Sequence, residues 1–243
     1  MSNIGGRRRI VFFLFIFILG CSRSILTQER GVQVGETLEY QVFIKGLPVG
    51  EQTLQIVGET FHGHRRVLEV RMRMKSYAAY ALFFSYEENS LLYLDAQDIT
   101  PVYLKKVITE KNDHREEEYD FGAETVNKKV TVQGEQPQVR QYEAKHPLLE
   151  SLSLIYYFRS RPWRQEYHQF YYFTSKGPQA IDYQHRGQER IRVLADYQRA
   201  DVIYDPVSQV SIWYSQDERV YPLRVQVNTN FGVLTARLTK ITH

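Results

Sequence analysis

The segment Leu68-Glu69-Val70-Arg71-Met72-Arg73-Met74-Lys75 decides the fold class of this 243-residue chain. Its apolar and charged residues alternate with a period of two, so an extended strand places the apolar side chains on one face and the charged ones on the other. Antiparallel sheets with one face in water produce this pattern, whereas parallel strands buried on both faces do not. The segment therefore predicts an antiparallel sheet.

The alternation continues on both sides of this segment. Residues 38–44 repeat it, and the chain is extended again through Ile56 after a turn that contains Gly46 and Gly50, which predicts a hairpin. Turn residues separate further extended segments at 85–94, 102–109, 115–121, 126–132 and 138–143. The second half returns to strands at 167–175, 181–185, 190–194, 201–204, 211–215, 221–228 and 232–242. The apolar run from Tyr77 to Phe84 is either a short helix or a ligand-facing loop.

One segment has helical rather than strand periodicity. Apolar residues at 148, 152, 155 and 156 follow Pro147 at helical spacing, and Pro162 ends the pattern. This spacing predicts one amphipathic helix over about 148–159. A curved sheet must cover its concave face. The predicted fold class is therefore mainly β, with one curved antiparallel sheet, half-barrel or barrel and this helix packed against it.

The N-terminal residues follow the order of a secretory signal. Three arginines at 7–9 precede an unbroken apolar run at 10–19, and Gly20 and Cys21 come next. The apolar run is only half of the roughly 20 residues that a transmembrane helix needs. The quartet Ile18-Leu19-Gly20-Cys21 resembles the bacterial lipobox, which implies cleavage of a signal peptide at 1–20 and lipidation of Cys21. An ordinary signal peptide with an unrelated cysteine is the alternative.

The mature chain is expected to be exported and held at a membrane by its lipid anchor. Two or more acyl chains give a stable anchor, and residues 21–33 are expected to form a tether. Residues 34–243 contain no repeat or linker, so they are expected to form a single β-rich domain. In a Gram-negative host, Ser22 behind the cysteine resembles the signal for transfer to the outer membrane, on its periplasmic face.

The charge of the chain excludes one class of partner. The formal net charge is +3, but residues 1–20 hold three arginines and no acid, so 28 basic and 28 acidic residues remain. A neutral chain without basic runs gives no reason to expect nucleic acid as a partner. Because Cys21 is the only cysteine, lipidation leaves neither a disulfide nor a thiolate metal site.

Two groups of polar residues, a histidine pair and a cluster of acids, could suggest chemistry. His62 and His64 would share a face of a strand, but no third ligand is predictable, so a polar hairpin tip is the favoured interpretation and no metal site is expected. The acids at 116, 118 and 120 alternate with Tyr119 and Phe121, which indicates the solvated side of a strand. No glycine-rich phosphate loop occurs, so no nucleotide cofactor is expected.

Ser215, Asp217 and Arg219 could be misread as catalytic residues. A nucleophilic serine needs a base within hydrogen-bonding reach, and no histidine lies nearby in sequence. The spacing fits a structural turn in which the carboxylate caps backbone amides and pairs with the guanidinium. No catalytic residue is predicted.

Aromatic residues make up 14% of the chain, more than one sheet face needs. Strand propensity and core packing account for most of them. The remainder could line an apolar cavity or a partner groove. The predicted ligand-facing residues are Tyr80, Phe83, Phe84, Tyr156, Tyr171, Phe173 and Trp213.

Nearly the whole mature chain resembles the bacterial envelope proteins grouped as domain of unknown function 3108. The resemblance lies at the start in Gly35, Glu36, Leu38 and Tyr40 with Gly46 and Gly50, in the turn from Asp98 to Pro101, in the helix residues Glu150, Leu152, Ser153, Tyr156 and Arg159, and most strongly in Trp213, Ser215, Asp217, Arg219, Pro222 and Val225 with Phe231 and Gly232. Glu150 stands where an aspartate is usual. The resemblance implies an envelope location and a β-rich fold. By fold analogy the chain also looks like the curved-sheet lipoprotein carriers LolA and LolB.

Two functions follow from these observations. The first is a non-catalytic envelope lipoprotein that binds a hydrophobic or amphipathic envelope molecule in a curved-sheet cavity. The second is an accessory or scaffolding lipoprotein that docks on an envelope assembly or polysaccharide machine through exposed aromatic residues or a sheet edge. A hydrolase is a third, for which the sequence shows no nucleophile with its base.

We predict that Cys21→Ser abolishes lipid labelling and releases the protein from the membrane, because the thiol is the expected site of acylation. Metabolic labelling with a fatty acid and fractionation of the cells measure both effects. Unchanged membrane association of the variant would contradict the inferred anchor.

Overall fold

The computed structural model describes residues 31–80, 85–111, 113–160, 169–174, 176–229 and 232–243. The signal segment, Cys21 and most of the expected tether lie outside these residues. In the described part of the chain, no helix is long and apolar enough to cross a membrane.

The described chain is built almost entirely from strands. The first eight are β1 Thr37–Ile44, β2 Leu47–His62, β3 Arg65–Ser76, β4 Tyr86–Asp95, β5 Pro101–Glu110, β6 Asp113–Phe121, β7 Thr125–Val132 and β8 Gln138–Glu143. After the short β9 Leu148–Leu149 and the helix α1 Ser151–Ser160 come β10 Gln169–Thr174, β11 Gly177–Asp182, β12 Gln184–Val193, β13 Asp196–Asp205, β14 Val210–Ser215, β15 Pro222–Thr229 and β16 Gly232–Thr242. A single 3-10 turn, Ala78–Tyr80, follows β3.

Thirteen strands form one antiparallel sheet in the order β12-β13-β14-β15-β16-β1-β2-β3-β4-β5-β6-β7-β8. The sheet is open, because its edges β8 and β12 do not pair. The segment Leu68–Lys75 lies within β3, in the middle of this sheet, and β1 and β2 form the predicted hairpin. The prediction of a mainly β fold with a large antiparallel sheet and one helix is confirmed.

The face of the sheet that packs against α1 is called here the inner face, and the opposite face the outer face. The inner face carries the buried apolar residues of alternating positions, among them Leu54, Val70, Leu92 and Leu104. The outer face carries the charged residues between them, including Arg71 and Arg73. The period-two pattern therefore assigns the two faces of β3 correctly.

The helix starts later than its sequence pattern predicts. Leu148 and Leu149 fit helical spacing, but they form β9 and pair in parallel with Tyr171 and Tyr172 of β10. Pro147 therefore precedes a strand rather than occupying the first helical turn. Glu150 then caps the helix, because its carboxylate accepts hydrogen bonds from the backbone amides of Leu152 at 3.0 Å and Ser153 at 2.6 Å.

The helix is also buried on all sides rather than along one stripe. Every residue from Leu152 to Arg159 is buried. Tyr214 of the large sheet and Phe170 of β10 both contact α1. The small sheet β11-β10-β9 thus shares the inner face with the helix. A helix in this position is a core element, and its sequence is accordingly apolar around its circumference.

An ion pair at the end of α1 ties the helix to the start of the sheet. Arg159 donates two hydrogen bonds to the carboxylate of Glu36, at 2.6 and 2.7 Å, and the two side chains are 0% and 1% exposed. Burial alone would lower the pKa of Arg159, but the hydrogen bonds and charge of Glu36 raise it overall. Gly31 fits against this site because a Cβ atom there would lie 2.4 Å from the Arg159 carbonyl oxygen.

We predict that Glu36→Gln lowers the free energy of unfolding by about 3–5 kcal/mol, because it leaves the buried guanidinium without its counter-charge. Urea unfolding followed by circular dichroism measures the change. The matched control is Glu39→Gln, which removes an exposed pair with Lys240 at 2.7 Å and should cost less than about 1 kcal/mol. Equal effects of the two substitutions would contradict the role assigned to Glu36.

Candidate functional site

Aromatic side chains occupy the inner face beside α1. Phe158 packs edge-on against Tyr183 with 4.6 Å between ring centroids, and Phe170 lies 5.8 Å from both rings. Tyr214 reaches into the same region and donates a hydrogen bond from its hydroxyl group to the Ile155 carbonyl oxygen at 3.0 Å. Protein side chains therefore occupy the space where an apolar ligand would have to sit beside the helix.

A second aromatic cluster joins β10 to β6 and β8. The Phe173 ring meets Tyr119, Phe121 and Tyr142 edge-on, at centroid distances of 5.6, 6.2 and 5.2 Å. Tyr142 also lies over Gly177 of β11, where a Cβ atom would come within 2.8 Å of the ring. This packing connects the small sheet to edge strand β8.

The predicted ligand-facing residues are distributed over different surroundings. Tyr156 is 1% exposed beside Arg159, and Phe173 belongs to the cluster just described. Tyr171 and Tyr80 are half-buried, with the ammonium group of Lys145 5.7 Å from the Tyr171 ring. Phe83 and Phe84 lie outside the described residues. A ligand-facing role for these residues remains a prediction.

Trp213 lies on the outer face of the sheet. Its register partner on β15 is Arg224, whose guanidinium stands 5.2 Å from the indole ring, and its indole N–H donates to Glu189 of β12 at 2.8 Å. Burial, together with the charge of Arg237, lowers the pKa of Arg224. The structure therefore does not bring Trp213 together with Tyr156 and Phe173.

The residues Ser215, Asp217 and Arg219 form the turn between β14 and β15. The Ser215 hydroxyl accepts a hydrogen bond from the Tyr221 amide at 2.7 Å. The Asp217 carboxylate accepts from the amides of Arg219 and Val220, at 2.8 and 3.1 Å, and the Arg219 carbonyl faces Arg159 at 3.4 Å. These contacts hold the turn beside the buried ion pair.

His62 and His64 of the β2–β3 hairpin lie in different surroundings. The His62 ring lies over Tyr93 and Tyr103, with centroid distances of 5.2 and 5.3 Å, whereas His64 is exposed beyond Gly63. Within the described ranges, no group of three or more His, Cys, Asp or Glu side chains could hold a metal ion. The hairpin instead forms an aromatic cluster of three rings, His62, Tyr93 and Tyr103, on the outer face.

Part of the inner face is polar, which we did not predict from the sequence. Glu88 is buried and accepts a hydrogen bond from Ser90 at 2.8 Å. Glu117 pairs with Arg115 at 2.9 Å and with Lys128 at 3.9 Å. Arg115 and Glu117 lie an even number of residues from Tyr119 and Phe121 on β6, so all four side chains point to the same face. This spacing is the sequence pattern that could have placed Arg115 and Glu117 on the inner face.

Among the cavities at the surface of the described residues are one at an end of the sheet and one on its outer face. One of about 300 Å³ lies at an end of the sheet, beside Asp95, Asp98 and His146. Two of these side chains form hydrogen bonds with nearby backbone groups. Asp95 accepts from the Gln97 amide at 2.8 Å, and His146 contacts the Ala123 carbonyl oxygen at 2.7 Å. The other cavity is an outer-face groove of about 600 Å³ over β2, β3, β4 and β5.

The sequence matches a family described as protein of unknown function, DUF3108, over residues 39–239. The chain belongs to the DUF3108 family. The turn at Ser215 and the helix α1 therefore lie within the part of the chain that matches this family. No curated protein matches the sequence.

One solved structure shares the fold of this chain, and two others align less well. A β-barrel-like protein of the domain of unknown function DUF1849 from Brucella abortus aligns with a TM-score of 0.53 and 10% identity, over 87% of this chain and 98% of that chain. A proposed lipoprotein from Parabacteroides distasonis aligns at 0.32 with 10% identity, over 88% and 97%. A proposed exported protein with a YmcC-like fold from Bacteroides fragilis aligns at 0.29 with 7% identity, over 88% and 98%. At 10% identity, the likeness to the Brucella abortus protein shows a shared fold only.

Buried tyrosines make the DUF3108 domain sensitive to alkaline pH. Burial raises the pKa of Tyr40, Tyr156, Tyr172 and Tyr214 above the ordinary value of 10.0. The folded state therefore keeps these protons at a pH where the unfolded chain releases them. Their contribution to stability is complete below pH 10 and falls as the pH rises above it.

We predict that the free energy of unfolding falls above pH 10 and that Tyr214→Phe reduces this slope by about 1.4 kcal/mol per pH unit. Denaturant titrations at several alkaline pH values measure the slope, and tyrosinate absorbance reports when the buried rings ionise. Tyr197→Phe, which changes a ring that is 57% exposed, is the control and should leave the slope unchanged. Ionisation of all tyrosines before unfolding would contradict the prediction.

Proposed function

We propose that this chain is a non-catalytic envelope lipoprotein, anchored through Cys21, that docks on a protein of an envelope assembly through edge strand β8. The observation that carries the proposal is the packing of the inner face. Phe158, Phe170 and Tyr183 pack against one another beside α1, and Phe173 packs against rings of β6 and β8, so protein side chains occupy these parts of the inner face. This packing favours a binding surface on the outside of the sheet. Binding of a lipid inside the sheet is therefore the alternative that the experiment must exclude.

The backbone of β8 is arranged for pairing with another strand. The amide of Ala144 donates to the Glu124 carbonyl oxygen at 2.7 Å. In the register of β8 with β7, the backbone N–H and C=O groups of the even-numbered β8 residues therefore form hydrogen bonds with β7. The N–H and C=O groups of Val139, Gln141 and Glu143 therefore face away from β7. An extended segment of a partner could add to the sheet at these groups.

The two edges of the large sheet, β8 and β12, differ in how well they could pair with a strand of another protein. The ladder of β8 with β7 has no register shift over its six pairs, and Val139 exposes 68% of its surface there. The other edge, β12, is interrupted between His185 and Gln188, with Gly187 at a φ of 86°. Because a bulge twists an edge away from a regular ladder, β8 is the edge that offers continuous pairing.

A hydrolase is not supported by the turn at Ser215. Its hydroxyl group is held by the Tyr221 amide, and no hydrogen bond in the described part of the chain joins Ser215 to a histidine. A serine nucleophile depends on a neighbouring base.

We predict that Gln141→Pro abolishes partner docking while the fold is retained. Proline removes the outward N–H of Gln141, which the β7 ladder does not use. A photo-crosslinking residue at Val139 in host cells should give one discrete protein adduct that disappears with Gln141→Pro and persists with Gln141→Ala. The same crosslinker at Val207, which is 42% exposed in the β13–β14 turn, should give no such adduct.

Two controls complete this experiment. Arg140→Pro removes an N–H that points towards β7, so it should unfold the edge, whereas Gln141→Pro should leave the circular dichroism spectrum unchanged. Native mass spectrometry of protein from its host should find no lipid beyond the acyl chains on Cys21. A stoichiometric bound lipid, or an adduct indifferent to Gln141→Pro, would overturn the docking proposal.

A further inference from the structure

The hairpin of β12 and β13 extends beyond the rest of the large sheet. β14 pairs with β13 only as far as Ala200, which lies opposite Ser215. Residues 190–199 continue past this point as a two-stranded ribbon with a turn at Leu194 and Ala195. This ribbon is called here the β12–β13 tip. Its four β13 residues carry it about 13 Å past the end of β14.

One face of the β12–β13 tip is basic and exposed. The register places Arg190 opposite Arg199 and Arg192 opposite Tyr197. All three arginines are exposed, and Tyr197 exposes 57% of its surface. The Arg190 guanidinium lies 5.0 Å from the centre of the Tyr197 ring. Like charges directly opposite each other destabilise a strand pair, so Arg190 and Arg199 do not serve the stability of this hairpin.

No carboxylate balances the charge of this face. Within the described ranges, none forms an ion pair with any of the three arginines. Glu189 and Asp196 belong to the other face of the ribbon, and Glu189 accepts a hydrogen bond there from Trp213. Asp201 shares the basic face, but it is 1% exposed and contacts His185 at 3.3 Å. The tip therefore concentrates positive charge that an anionic surface would complement.

The other face of the β12–β13 tip holds it against the domain. Ile191 and Val193 are 4% and 5% exposed on that face. β12 also comes close to β16, although three strands separate the two in the sheet. The tip is therefore a packed ribbon that turns its basic face to the solvent.

The turn of the tip keeps an apolar residue where the backbone favours glycine or asparagine. Leu194 and Ala195 both have positive φ, at 50° and 67°. A two-residue hairpin turn of this kind prefers Asn-Gly, and a leucine in this conformation costs energy. The Leu194 side chain is 36% exposed at the end of the ribbon. The chain thus presents an apolar side chain beside the basic face at the expense of a strained turn.

The expected lipid anchor lies at the same end of the sheet as the tip. From Cys21 to Gly31 the chain spans at most about 35 Å. Gly31 packs against Arg159, whose guanidinium contacts the Arg219 carbonyl oxygen in the turn between β14 and β15. This turn lies at the end of β14 from which the tip extends. A lipid on Cys21 therefore holds the β12–β13 tip within reach of the bilayer surface.

We propose that the β12–β13 tip rests on anionic phospholipid headgroups of the membrane that carries the anchor. Its three arginines contact the phosphates, and Leu194 and Tyr197 enter the layer between headgroups and acyl chains. The contact is weak alone, but the anchor raises the local concentration of lipid at the tip. Because β8 is the opposite edge of the sheet, this orientation leaves β8 free. The proposal rests on the anchor at Cys21 and not on docking through β8.

Fluorescence of the acylated protein in lipid vesicles tests the proposal. Because Cys21 is the only cysteine and its thiol carries lipid, Ala195→Cys supplies a single thiol for a fluorophore at the tip. The vesicles are phosphatidylcholine alone, or a seven-to-three mixture of phosphatidylcholine and phosphatidylglycerol, each with the same fraction of a lipid spin-labelled in its headgroup. We expect strong quenching in the mixed vesicles only. Added salt should reduce this quenching, because the Debye length is already only about 10 Å at about 0.1 M.

Matched variants separate this face from general attraction. Replacing both Arg190 and Arg199 with glutamine should lower the ratio of membrane-bound to free tip about 25-fold, because each basic residue at an anionic surface contributes about a factor of five. The same replacement of Arg71 and Arg73 removes equal charge from exposed side chains of β3 and should leave the ratio unchanged. Leu194→Asn suits the positive φ, so it should weaken the membrane contact without lowering the free energy of unfolding.

Three results would overturn the proposal. The first is equal quenching in neutral and mixed vesicles, and the second is an equal loss when Arg71 and Arg73 are replaced. The third is that polyglutamate changes the fluorescence on neutral vesicles as strongly as phosphatidylglycerol does, which would assign the basic face to an acidic polypeptide.

The mass of the purified protein distinguishes failure of this proposal from failure of the proposed function. Missing acyl chains would contradict the anchor at Cys21 and the membrane contact together. If the acyl chains are present and phosphatidylglycerol has no effect, only the membrane contact is refuted. Failure of docking at β8 would leave the membrane contact standing.

Discussion

The buried ion pair between Glu36 and Arg159 fixes the relation between the helix and the sheet. The two residues lie 123 positions apart, and their charges are buried together, so neither can be accommodated without the other. Arg159 lies in the last turn of α1, while Glu36 precedes β1, near the centre of the large sheet. The turn between β14 and β15 closes over the same site through the Arg219 carbonyl oxygen. Three distant parts of the chain are thereby held in one arrangement.

Once the helix is fixed, the two faces of the sheet have different uses. The inner face packs against α1 and the small sheet. Aromatic rings of β6, β8 and β10 meet there at Phe173. The outer face and the β8 edge remain open to other molecules. The aromatic surplus of the sequence thus serves packing at several positions, since Phe158, Phe170 and Phe173 are all buried. The docking surface that we propose therefore lies on the outside of the sheet.

The sequence predicted the parts of this structure that depend on local periodicity. Alternation located β3 and its charged face, because each side chain of a strand is assigned to a face by its own position. The helix boundary was misplaced because Leu148 and Leu149 satisfy helical spacing equally well, and only their distant partners in β10 make them a strand. No local pattern in the sequence indicates that Glu36 pairs with Arg159, because the two residues are 123 positions apart. The groove likewise depends on the register of four strands, which places Asn89 between Arg73 and Val107.

The order of strands in the large sheet has a consequence for how the chain assembles. β1 pairs with β2 on one side and with β16 on the other, and Thr37 lies opposite Thr242. Strands β1 to β8 can form a meander from neighbouring hairpins, and β12 to β16 can form another. The ladder that unites the two meanders joins the two ends of the described sequence, so it forms only after synthesis of the last strand. Until that ladder forms, β1 is an unpaired edge of the first meander, and loss of the final residues would leave two half-sheets in place of one.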